Sequence, residues 1–109
     1  MRLKVILEKF SMLDVYEIRR ATDEYVELVF YNDKQNEVDD ILEDMLGSPR
    51  KPAGVKPSQD DLGLTREHGG IWDNQTLFVN ECEGYTVMAM YWPWDDEVHT
   101  TLRMARLEK

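Results

Sequence analysis

A single cysteine, Cys82, stands in a chain of 109 residues. It permits no internal disulfide, and such sparse use of cysteine fits a reducing cytoplasm. No apolar run is long enough to span a bilayer. The opening MRLKVILEKF sets charges between its apolar residues, which is not the pattern of a secretion signal. Bases are scarce: 13 Lys and Arg face 22 Asp and Glu, giving a net charge of -9 and a pI of about 4.6. A surface of that sign repels phosphate backbones at long range, so direct nucleic-acid binding is not expected. Only two histidines occur, and neither has a recognised ligand spacing to another donor. With one thiol a structural zinc site is excluded too, so neither a metal nor a cofactor is expected.

What is present describes one globular domain over residues 1–109, with 42% hydrophobic and 32% charged residues and no repeat or low-complexity tract. Alternating apolar positions predict strands over residues 3–8 (Leu3, Val5, Leu7), 25–31, 76–81, 85–92 and 98–107; over 14–20 a strand through Tyr16 and Ile18 is favoured against a short helix carrying Met12, Tyr16 and Arg19. The run over 85–92 is apolar on both faces, as in an interior strand covered on both sides. Residues 33–46 carry a helical stripe of Val38, Ile41, Leu42 and Met45, with Asn32 and Gln35 in a capping-box pattern and Gly47 and Pro49 beyond the end. The predicted fold is therefore α+β: a mostly antiparallel sheet of five or six strands, one main helix packed on it, and a long Pro/Gly-rich structured loop.

That loop, residues 47–75, holds Pro49, Pro52 and Pro57 of the four prolines and all glycines but Gly84. A connection of this length in a compact chain usually has a use. Within it, His68-Gly69-Gly70-Ile71-Trp72-Asp73 offers close backbone approach, an indole face and polar groups, so His68, Trp72 and Asp73 are candidate ligand contacts. The competing structural reading has Ile71 and Trp72 plugging the core edge. Trp94, in the turn after Pro93, is a further candidate for stacking on a partner. The helix over 33–46 carries Glu37, Asp40, Glu43 and Asp44 on its outer side, an acidic docking face unless the loop bases Arg50, Lys51, Lys56 and Arg66 pair with it. Cys82 lies between Glu81 and Glu83, which raise a thiol pKa, and it is a poor nucleophile.

The function these features imply is a small acidic cytoplasmic binding or interaction module, without catalysis, that meets a protein partner through the 47–75 loop, Trp94, or both. Two alternatives stand beside it. One is an acidic inhibitor or immunity-type protein docking a basic target through the 33–46 helix. The other is a small-molecule-binding protein or enzyme with a pocket at residues 66–75, which requires His68 to lie inside a concavity. No membrane partner is expected, and a homodimer formed through an open sheet edge is compatible with the pattern.

Overall fold

In the computed structural model, which describes residues 2–108, the chain begins with a 3-10 turn, Leu3–Val5, that runs into helix α1, Ile6–Phe10. Strands β1, Glu17–Ala21, and β2, Tyr25–Tyr31, follow. A 3-10 turn, Asn32–Lys34, leads into helix α2, Gln35–Leu46. The long connection contains helix α3, Gln59–Thr65, and a 3-10 turn, Arg66–His68. Strands β3, Leu77–Cys82, β4, Tyr85–Pro93, and β5, His99–Glu108, complete the fold. The five strands form one sheet in the order β1-β2-β5-β4-β3, with every neighbouring pair antiparallel. The architecture is α+β, with three short helices.

Alternation decides which sheet face each side chain joins. Val26, Leu28 and Phe30 of β2, Val87, Ala89 and Tyr91 of β4, and Leu102 and Met104 of β5 form one core with Leu3, Ile6 and Phe10 and with Val38, Leu42 and Leu46 of α2. On the opposite face Met88, Met90, Leu77 and Ala105 pack with Ile71 from the long connection. That face continues over β5, β2 and β1, where the backbone register sets Arg103 opposite Glu27 and Glu27 opposite Arg20.

Three sequence expectations are corrected. Residues 3–8 are helical, not a strand. Leu3, Ile6 and Phe10 are all buried at helical spacing while Val5 is exposed, so the longer period outweighs the short alternation. The strand expected over 14–20 starts only at Glu17, after Asp14 adopts a φ of 48°. No capping box forms at Asn32: its Oδ1 accepts from the Thr100 hydroxyl at 2.6 Å, and α2 starts without a side-chain cap. The capping box lies instead at the start of α3. There the Asp61 N–H donates to Ser58 Oγ (3.1 Å) and Asp61 Oδ2 accepts from the Ser58 N–H (2.9 Å).

Buried Lys51 clasps the two ends of the long connection. Its Nζ donates to the carbonyls of Pro52 (3.2 Å), Asp73 (3.0 Å) and Gln75, so all three ammonium protons meet backbone oxygen. Burial lowers the Lys51 pKa, opposed by the charges of Asp73 and Asp61. A two-way backbone bridge between Lys51 and Leu77 and a bond from the Gly54 N–H to the Asp73 carbonyl (2.7 Å) close the same loop. Arg50 Nε donates to buried Asp61 at 2.8 Å, which ties α3 to the clasp. The clasp thereby fixes the 66–69 turn over the second sheet face.

Candidate functional site

The 66–69 turn and the open face of β1, β2 and β5 border an open cleft of about 710 Å³. His68 lines it, half-buried, with its ring stacked on Tyr25 at 5.8 Å and an interplanar angle of 16°. The turn sits low because Gly69 carries no side chain: a Cβ there would lie 2.8 Å from Trp92 Cζ2 and 2.9 Å from Arg103 Nη1. Its φ of 98° likewise favours glycine. Arg103 fastens the turn from below, donating from Nη1 to the His68 carbonyl at 3.1 Å while its guanidinium lies 4.6 Å from the centre of the Trp92 ring.

Arg19, Arg20, Arg103 and Arg106 line the cleft with Glu24, Glu27 and Glu67. The four are drawn from only seven arginines in the chain, so positive charge concentrates here on a protein of net charge -9. Glu27 is their hub. It accepts from the Tyr25 hydroxyl (2.6 Å) and lies 3.7 Å from Arg19 Nη1 and 3.4 Å from Arg103 Nε. The last contact has ion-pair distance without hydrogen-bond alignment, and Arg103 Nε is left without a hydrogen-bond partner. Burial, then the bond to Glu27, pushes the Tyr25 hydroxyl up to about 12. Burial also lowers the His68 pKa; nearby Arg103 adds to this and Glu67 opposes it. At neutral pH the cleft thus presents a neutral Tyr25 and a His68 that favours its neutral form, with the arginines as its cations. Arg20 alone among these four pairs with no carboxylate among the described residues. Its guanidinium lies 5.5 Å from the Tyr25 ring centre.

Trp94 lies at the other end of the same face. Its Nε1 donates to Thr101 Oγ1 (2.8 Å), and its ring packs with Tyr16 at 6.1 Å and His99 at 4.8 Å. Asp96 orders this turn by accepting from the backbone N–H groups of Val98 and His99 and from His99 Nδ1 at 2.5 Å. The His99 contact, with the Val98 N–H, holds the Asp96 carboxyl down at about 2. Arg19 joins the two ends, since its guanidinium is 5.4 Å from the Trp94 ring while it also lines the cleft.

Trp72 and Asp73 do not line the cleft. The Trp72 side chain is 66% exposed, so Ile71 alone plugs the core edge. The Asp73 side chain is exposed, and its contribution is the backbone carbonyl that receives Lys51. On α2, Glu37, Asp40, Glu43 and Asp44 are exposed and make no ion pair among the described residues. Pairing of that face with Arg50 and Lys51 does not occur, because Asp61 and backbone carbonyls hold those two bases. The neighbouring Asp39 does have a partner, accepting from the buried Tyr91 hydroxyl at 2.5 Å.

No protein-family model, curated protein or solved structure matches the chain. The sequence reading missed Tyr25, Glu27 and the four arginines as site residues. The available signal was the placement of Arg19, Arg20, Arg103 and Arg106 inside strand patterns of a base-poor chain.

Proposed function

We propose that this protein is a cytoplasmic binding module whose ligand carries an anionic group held in the cleft between the 66–69 turn and the sheet. The supporting observation is the convergence of four arginines on a concavity lined by the stacked Tyr25 and His68, with Arg20 paired to no carboxylate among the described residues. Guanidinium groups meet carboxylate or phosphate through paired N–H donors. Binding fits the side chains better than bond-making does. Glu27 is occupied by Tyr25, Arg19 and Arg103, and the Tyr25 proton is held near pH 12. The lone cysteine supports the cytoplasmic assignment, and no helix among the described residues is long and apolar enough to cross a membrane.

The test is calorimetric titration with phenyl phosphate and with phenol, on wild type and Arg20→Glu. The reading expects phenyl phosphate to bind wild type, phenol to bind far more weakly, and Arg20→Glu to abolish the difference. Equal heats from both compounds, or an unaltered Arg20→Glu titration, would overturn it.

A basic protein docking on α2 is the second reading, supported by the four exposed carboxylates that no base among the described residues pairs with. Its binding weakens steeply with ionic strength and is lost in the double charge reversal Asp40→Lys/Asp44→Lys, whereas Arg20→Glu leaves it intact.

A further inference from the structure

We infer that the ligand carries two oxyanion groups, held on either side of His68 by Arg20 and Arg66; this rests on the anion-binding reading above. A second concavity of about 550 Å³ adjoins the first and shares Glu67, His68 and Arg106 with it. Arg66 lines only the second and Arg20 only the first. The other arginines of this surface are engaged. Arg19 holds Glu17 (2.7 Å) and Glu27, Arg103 holds the His68 carbonyl, and Arg106 holds Glu108 (3.0 Å) with its guanidinium over Tyr85. Arg20 and Arg66 pair with no carboxylate among the described residues, and both are exposed. No lysine among the described residues lines either concavity. The surface therefore offers two guanidinium forks without a carboxylate partner among the described residues, one lining each of two adjoining hollows that share Glu67 and His68.

Glu67 decides how many anions are needed. Glu67 lines both hollows, and Glu24 and Glu108 line one each, so a single anion meets repulsion beside its guanidinium. Two anionic groups on one molecule offset this, because once the first is held the second binds at a high effective concentration. The ligand class that follows is a small molecule with two phosphate or carboxylate groups.

The experiment compares inorganic phosphate, tripolyphosphate and tricarballylate at fixed ionic strength, by calorimetry on the full chain. Tripolyphosphate or tricarballylate is expected to bind at least about tenfold tighter than inorganic phosphate, and whichever is tighter identifies the oxyanion. Arg20→Ala and Arg66→Ala should each remove that advantage, Glu67→Gln should strengthen binding by several-fold, and Lys56→Ala, outside both hollows, should change nothing. If inorganic phosphate binds as tightly as the longer anions and only Arg20→Ala weakens it, the two-point inference fails while the single-anion reading stands. If Lys56→Ala weakens binding as much as either arginine variant, attraction is diffuse and the inference fails. If none of the three anions binds, the anion-binding reading fails with it.

Discussion

Gly69 makes the sharpest test of how the 66–69 turn is seated. Gly69→Ala introduces a Cβ at 2.8 Å from a ring carbon of Trp92 and 2.9 Å from Arg103 Nη1, at a φ of 98°. The backbone conformation alone costs an L-residue about 1–2 kcal/mol. Forcing a methyl against an indole clamped under a guanidinium adds about 1–3 kcal/mol of overpacking. The total expected loss is about 2–5 kcal/mol. Two neighbouring glycines isolate the terms. At Gly70, with φ 77° and nothing within 4 Å of a Cβ, alanine carries only the backbone cost, about 1–2 kcal/mol. At Gly63, inside α3 with open space around it, alanine should stabilise by about 0.5–1 kcal/mol. Urea unfolding followed by tryptophan fluorescence gives all three values, and the ring shifts of Tyr25 and His68 report whether the stack survives. A Gly69→Ala protein no less stable than Gly70→Ala would refute the close seating of the turn on Trp92 and Arg103.

The clasp and the carboxylates give further expectations. Lys51→Met strips the donors from three carbonyls, of which the one on buried Gln75 is least able to find water. The orphaned acceptor costs about 1–3 kcal/mol, partly offset by no longer burying an ammonium. Faster amide exchange at Gly54 should accompany the loss, and unchanged exchange there would contradict the clasp. Acid should weaken the fold through Asp61 and Asp96. Burial raises the Asp61 pKa, but the hydrogen bonds from Ser58 and Arg50 outweigh it and leave the carboxyl below its ordinary value; Asp96 is held at about 2. Both pKa values are depressed by folding. Their contribution is therefore complete above the unfolded carboxylate pKa of about 3.9 and is lost as pH falls from there through the folded values. Denaturation at pH 5, 3 and 2 should show a shallower acid loss in Asp61→Asn than in wild type, and parallel curves would contradict the assignment.

The parts of the fold visible in the sequence were those fixed by local pattern. Tyr25–Tyr31 and the two-faced apolar run of β4 declare themselves by alternation, and α2 by its Val38–Leu42 stripe. Where two local patterns compete the sequence misleads. Leu3, Val5 and Leu7 alternate, yet Leu3, Ile6 and Phe10 are the residues that reach the core. Asn32 has the right identity for a cap, but Thr100, distant in sequence, takes its side chain. The cleft was legible only at His68 and its glycines. Its walls depend on the order β1-β2-β5 and on a register that sets Arg20 opposite Glu27 and Glu27 opposite Arg103. Pairing over that chain distance leaves no mark in any local window. Trp72 drew notice by its identity, whereas Ile71 is the residue of that pair that is buried and Trp72 is exposed.

The central claim, that anions bind in the cleft under the 66–69 turn, is tested most directly by NMR titration of the labelled protein with tripolyphosphate. The side-chain signals of Arg20 and Arg66, the Tyr25 and His68 rings and the Gly69 amide should shift together along one saturable curve, with α2 and the Trp72 indole unmoved. Shifts centred on other bases such as Lys56 or Lys9, or no saturable shift at all, would contradict the claim.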